Sequence, residues 1–204
     1  MDITKIPYPV TFAANRAQLP SRARPAGTEP VGIIIHSMAQ FLNHKGKKVH
    51  APDFLTEIGL SAHGYVEPDG SQIHSVPTDR IAYHAGRSRL GDYENLNTQW
   101  LGTEVLVQGT HNIATLREAV MNGNPFTDEQ YRSTAMQCHY WMHQHPTIRK
   151  EYIVGHNEVS GPDVRPDPKF DPGAAWSWET FWRWFDLTEQ AIESGKIEEI
   201  TQIT

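Results

Sequence analysis

One cysteine, Cys138, in 204 residues leaves no partner for an internal disulfide and excludes a thiolate zinc cluster, so any metal here must be held by imidazole and carboxylate. No stretch is apolar enough to cross a bilayer. The first ten residues, MDITKIPYPV, have neither the basic start nor the long apolar core of a secretion signal. A soluble protein made in the cytoplasm is expected. Positive charge is not in excess either: 18 Lys and Arg against 24 Asp and Glu give a formal net charge of -6, with the cations scattered. That balance argues against nucleic acid or an anionic membrane surface as partner. Repeats, low-complexity runs and Gly/Ser linkers are missing as well, and 204 residues suffice for one substantial core, so one domain, acting as a monomer, is expected.

What the chain does have is concentrated in residues 155–173, GHNEVSGPDVRPDPKFDPG. They follow an apolar run, Tyr152-Ile153-Val154, that reads as a buried strand, and their prolines forbid regular structure over most of the length. A loop this long inside a compact domain usually has a function. His156 stands where the strand ends, and Lys169 and Asp171 near the far end of the loop. An imidazole, a carboxylate and a cation on one stiffened loop are the ingredients of a metal site that also handles negative charge. A lone histidine after a strand is more often a hydrogen-bonded structural residue than a ligand. With Glu158, Asp163, Asp167 and Asp171 all present, the loop alone leaves open which carboxylate faces inward.

Taken in order, residues 1–30 are rich in Pro, Arg and Ala and are expected to form an extended arm with one short helix near residues 12–18. Val31-Gly32-Ile33-Ile34-Ile35 is the β-branched run of a central strand covered on both faces, with His36 at its carboxyl end, where ligands collect in open α/β sheets. Residues 51–59 fit a short helix burying Phe54, Leu55 and Ile58. Residues 61–67 and 71–76 flank Pro68-Asp69-Gly70 as a hairpin carrying His63 and His74, both more simply read as structural. In IAYHAGRS, residues 81–88, His84 and Arg87 are candidates to line a cleft, the guanidinium being suited to a carboxylate on a ligand; a solvated arginine is the simpler reading.

The strand at residues 100–108, WLGTEVLVQ, sets Glu104 in an apolar run. A buried carboxylate is costly unless it is paired, beside a metal or protonated, which makes Glu104 the best general-base candidate. Residues 110–124 read as a loop. Thr127 and Gln130 then form a capping box for a helix running to about His145, where Pro146 stops it. Its His139 and His143 have a zinc-binding spacing, but Tyr140 stands where an HExxH helix carries its glutamate. Residues 174–185 make a second helix, whose Trp176, Trp178, Trp182 and Trp184 are read as packing rather than as a sugar platform, and residues 186–204 a frayed helix and tail.

His36, Glu104, His156, Lys169 and Asp171 thus lie at strand ends or on the long loop, and they divide into roles. Two histidines and a carboxylate would leave a zinc ion one open position for water. Glu104 would take the proton from that water and return it to a leaving amine, and Lys169 would stabilise the oxyanion that forms when an amide carbonyl is attacked.

At this point the chain resembles a known family, the zinc-dependent N-acetylmuramoyl-L-alanine amidases, which include cytosolic muropeptide-recycling amidases, phage lysozyme-like amidases and peptidoglycan recognition proteins. The resemblance is carried by IIIHS at residues 33–37, SAHGYVEPDG at 61–70, YHAGRS at 83–88, LGTEVL at 101–106, GH at 155–156 and KFDPG at 169–173, in the family's order. It implies a single α/β domain, residues 31–185, with a central mixed β-sheet flanked by helices, between the arm at 1–30 and the tail at 186–204. It implies Zn2+ on His36, His156 and Asp171 and catalysis by Glu104 and Lys169; His63, His84 and Arg87 are the expected substrate contacts. The loop between His156 and Asp171 is longer than in relatives, which keeps Asp163 and Asp167 as alternatives at the metal, although KFDPG favours Asp171. An aspartate as third ligand and a glutamate in the strand are more similar to the recycling and bacterial amidases than to the phage lysozyme type, which has a tyrosine where this chain has Ala62. The implied substrate is peptidoglycan or a muropeptide. The expected role is a phage-type endolysin that reaches the wall through a holin-type lesion, with a cytosolic recycling amidase or a catalytically silent peptidoglycan-binding protein as alternatives.

Overall fold

The β-branched run at residues 33–35 is fully buried and forms the middle of a long strand, β3 (Gly32–Leu42). The computed structural model describes residues 8–13, 18–42 and 45–197. The other strands are β1 (Val10–Phe12), β2 (Ser21–Ala23), β4 (Lys48–Val49), β5 (Gly64–Val66), β6 (Gln72–His74), β7 (Arg80–Ala82), β8 (Arg89–Leu90), β9 (Tyr93–Glu94), β10 (Trp100–His111) and β11 (Ile153–Gly155). The helices are α1 (Ala51–Glu57), α2 (Ile113–Asn122), α3 (Asp128–Gln144), α4 (His156–Val159) and α5 (Trp178–Glu193). The central sheet runs β1-β6-β5-β10-β3-β11, with β4 folded back antiparallel onto the end of β3. β10 is parallel to both β5 and β3, and β3 is parallel to β11, whereas β5 and β6 form the expected antiparallel hairpin. The sheet is therefore mixed and flanked by helices, as the resemblance implied.

Burial on both faces explains why β3 and β10 read as continuous apolar runs. One face carries the main core, where Ile33, Ile35, Leu101 and Val105 meet α3 and the aromatic side of α5, including Phe181, Trp184 and Phe185. Each such side chain contributes roughly 1.5–3 kcal/mol on burial, against about 1 kcal/mol or less for an exposed ion pair such as Lys150–Asp186, so the aromatics hold α5 in place. The other face carries a smaller cluster of Ile34, Ala85, Leu96, Trp100 and Val159.

Several elements depart from expectation. Residues 113–122, read as loop, are helix α2; Asn112 accepts the Thr115 N–H and Thr115 Oγ1 accepts from the Asn112 N–H, a capping box with Thr in place of the usual Glu or Gln. β3 runs on past His36 to Leu42, where β4 pairs with it. In the arm, Val10–Phe12 is a strand against β6 and Ser21–Ala23 a strand against β7, and residues 14–17 of the expected helix lie outside the described residues. α5 begins four residues later than expected, where Ser177 caps it, and continues to Glu193. Ile58, expected in the core, is 52% exposed.

Candidate metal centre

Three parallel strands set the site residues in one row across the sheet: His36 and Glu104 lie midway along β3 and β10, and β11 ends at Gly155. β10 and β3 pair with Glu104 opposite His36, and β3 and β11 pair with Gly155 opposite Ile35, so His156, the next residue, comes abreast of His36. The loop then returns Asp171 to the same point, tied by the Asn157 N–H to the Asp171 carbonyl (2.8 Å) and the Lys169 N–H to the Ser160 carbonyl (3.0 Å). The return needs Gly173, whose φ of +97° is left-handed and where a Cβ would lie 2.3 Å from the Val120 carbonyl oxygen.

The inward atoms form a tight triangle. His36 Nδ1 is 3.1 Å from His156 Nδ1, and each is 3.0 Å from Asp171 Oδ2. The opposite ring nitrogens are already committed. His156 Nε2–H donates to the Ala85 carbonyl (3.0 Å); His36 Nε2–H donates to His84 Nδ1 (3.0 Å), and His84 Nε2–H donates to the Trp100 carbonyl (3.2 Å). With those protons spent, the three inward atoms are all acceptors, and acceptors this close repel unless a cation lies between them. Ligand atoms around a tetrahedral zinc are roughly 3.3 Å apart, so the donor set fits that ion. A second hydrogen bond on each ligating imidazole is the usual support of such a site. Gly102 makes room for it, since a Cβ there would lie 2.5 Å from the His84 ring, and Asn97 Oδ1 pins the His84 and Ala85 N–H groups.

Electrostatics fit the same arrangement. Burial, helped by the His156 ring, pushes His36 down to about 4, and burial with the neighbouring His36 and His63 rings holds His84 well below its usual range, so both stay neutral. Burial alone would raise the Asp171 carboxyl; a proton on the His156 or His36 ring, or a cation in its place between them, keeps it below the ordinary carboxylate range. Glu104 goes the other way: burial and then the Asp171 charge raise it well above a normal glutamate, against the pull of Lys169.

The triad, Glu104 and Lys169 line one cavity of about 210 Å³, together with His84 and Tyr83. Its remaining walls are mostly apolar, from Phe54 and Leu55 of α1, Ile58 just past its end, and Ile113 and Leu116 of α2. Other expected residues lie elsewhere. His63 does not line this cavity, and both its nitrogens are used: Nδ1 accepts from the Gly102 N–H (3.0 Å) and Nε2–H donates to the Arg80 carbonyl (3.1 Å). Arg87 faces a neighbouring polar cavity with Arg89 and Asp163. Asp163 and Asp167 are exposed and pair with Arg89 and Arg165, so neither competes with Asp171. His139 is buried and bonded to the Phe185 carbonyl, while His143 is exposed, so that pair makes no site.

The model of the N-acetylmuramoyl-L-alanine amidase family, Amidase_2, matches residues 26–174, and the chain belongs to that family. It is similar to the 1,6-anhydro-N-acetylmuramyl-L-alanine amidase AmpD of Escherichia coli strain K12, 33% identical over 134 residues, covering 64% of this chain and 63% of that protein. The AmpD of Haemophilus influenzae is 32% identical over 136 residues, covering 66% and 64%. The match thus spans less than two thirds of these curated relatives. Among solved structures, a selenomethionine AmpD derivative superposes with a TM-score of 0.61 at 22% identity, covering 87% of this chain and 93% of that one. The Ph2119 endolysin from a Thermus scotoductus bacteriophage superposes with a TM-score of 0.55 at 17% identity, covering 86% and 98%. At these identities the structural likeness is one of fold.

Proposed function

We propose that the protein is a zinc-dependent N-acetylmuramoyl-L-alanine amidase that cuts the amide between N-acetylmuramic acid and L-alanine in soluble muropeptides. One observation carries the reading: three acceptor atoms converge beside Glu104 and Lys169 in one cavity. His36, His156 and Asp171 would hold the ion. Zinc, when bound, supplies Lewis acidity that polarises the scissile carbonyl and makes water a usable nucleophile near neutral pH. Glu104 accepts the proton from the attacking water, and its raised affinity for protons suits it to pass that proton to the departing amine as the C–N bond breaks. Lys169 offsets the negative charge that gathers on the carbonyl oxygen. His84 acts through His36, fixing its tautomer. Arg87, two residues beyond Ala85 on the neighbouring cavity, grips a carboxylate of the peptide in this reading.

Of the two roles, the endolysin expected from the sequence has the weaker support. The curated relatives, 28% to 33% identical, are named as 1,6-anhydro-N-acetylmuramyl-L-alanine amidases, whereas the endolysin shares the fold at 17% identity. No described helix is long and apolar enough to cross a membrane. Incubating purified protein with a soluble muramoyl-tripeptide and with intact sacculi, and following freed peptide by mass spectrometry, tests the proposal. Release from the soluble substrate, stopped by a chelator and restored by zinc, is expected. No release from either substrate would defeat the amidase, and faster release from sacculi would return the endolysin to first place.

A further inference from the structure

The cavity has two unlike ends. Glu104, Lys169 and the metal triad gather at one end, while the portion between α1 and α2 is lined, among the described residues, by apolar side chains and by no charged one. Three of the large hydrophobics exposed among the described residues, Ile58 at 52%, Leu60 at 41% and Ile113 at 62%, stand on this rim. Such side chains gathered at the mouth of a site mark where a ligand lies. The wall they stand on is firm. Phe54 stacks on Phe41 (centroids 4.8 Å, 19° between planes), His50 at the start of α1 bonds Glu67 (2.6 Å), and the Leu60 N–H closes the far end on the Leu55 carbonyl (2.8 Å).

The geometry points to this apolar end as the subsite for the acyl side of the scissile amide, the uncharged lactyl and N-acetylated sugar portion, with Phe54, Ile58, Leu60 and Ile113 as its specificity-determining residues. The assignment rests on the amidase reading. The two sides of that amide differ in charge: the sugar side presents CH faces and an acetyl methyl, while the peptide side carries carboxylates. A carboxylate lodged between α1 and α2 would lose its hydration with no cation to replace it. Arg87 and Arg89 lie instead on the neighbouring polar cavity, beyond the Ala85 carbonyl that His156 holds; Glu94 and Asp163 line it too, and with Asp163 paired to Arg89 the guanidinium left for a ligand is that of Arg87. Charge complementarity therefore orients the substrate, with the sugar over α1 and α2 and the peptide toward Arg87.

The test compares kcat/KM for N-acetylmuramoyl-tripeptide and for D-lactoyl-tripeptide, which keeps the scissile amide and the peptide but lacks the sugar, in wild type and in Ile58→Asp and Ile113→Asp. Both sites are surface positions where a charge is tolerated in the fold, and Ile58→Leu is the conservative companion. Wild type is expected to favour the sugar-bearing substrate. Each Asp variant should lower that preference roughly tenfold through KM rather than kcat, and Ile58→Leu should retain it. If the preference is unchanged while discrimination between free and amidated peptide carboxylates shifts, the apolar end holds the peptide and the assignment is overturned. If wild type cleaves neither substrate, the amidase reading itself falls.

Discussion

His36 and His63 flank the same imidazole. Both are buried, and both lie edge-on to His84, at centroid separations of 5.1 Å and 5.6 Å. What separates them is where the spare lone pair goes. His63 gives one nitrogen to the Gly102 N–H and the other to the Arg80 carbonyl, so its ring is a brace between strands. His36 spends one nitrogen on His84 and turns the other toward His156 and Asp171. Burial and strand position are common to both, and the hydrogen-bond ledger of each ring distinguishes a ligand from a strut.

That contrast is tested most severely by removing ligands. Asp171→Ala or His36→Ala should abolish stoichiometric zinc binding, read by metal analysis after dialysis. Turnover should fall by more than the roughly 10²–10⁴-fold that a general base contributes. His63→Gln should leave zinc content at one per chain; its loss there would erase the distinction. Next in size, Glu104→Gln should keep the metal and lower kcat by about 10²–10⁴-fold, and Lys169→Ala by about 10²–10³-fold, because both act on the reacting atoms. A Glu104→Gln enzyme of normal rate would remove that carboxylate from the mechanism. His84→Phe should weaken zinc by about 10–100-fold, measured against a competing chelator, since it frees the His36 tautomer without touching the ion.

The last effect is on stability. Burial holds His63 at about 3, well under its ordinary value near 6.5. Between those values the unfolded chain binds a proton that the folded chain refuses. The stabilisation is therefore complete above about pH 6.5 and is lost as the pH falls toward 3, at up to about 1.4 kcal/mol per pH unit. Urea unfolding of the metal-free protein from pH 7 to 4 should show this slope, reduced by about one proton in His63→Gln. An unchanged slope in that variant would mean that His63 is not the buried neutral group described here.

Much of this was legible in the residues themselves. The β-branched run before His36, the lone acid in β10 and the proline-stiffened loop each carry a local signal, and the order of the short motifs linked them into one family pattern. α2 is hidden in the sequence because its Asn112–Thr115 capping box departs from the usual residues. The apolar wall of α1 is half legible: the pattern predicts a helix over residues 51–59 where α1 ends at Glu57, and it puts Ile58 in the core because sequence spacing cannot tell a side chain facing the protein from one facing a cleft. The choice among Asp163, Asp167 and Asp171 depends on where a long loop folds back, and local arginines that occupy the first two become visible only in three dimensions.

Anomalous diffraction at the zinc edge from zinc-soaked crystals tests the central claim most directly. A single strong peak is predicted at about 2.0–2.2 Å from His36 Nδ1, His156 Nδ1 and an Asp171 carboxylate oxygen. Density that avoids this triangle, or that draws its third protein ligand from Asp163 or Asp167, would contradict the account.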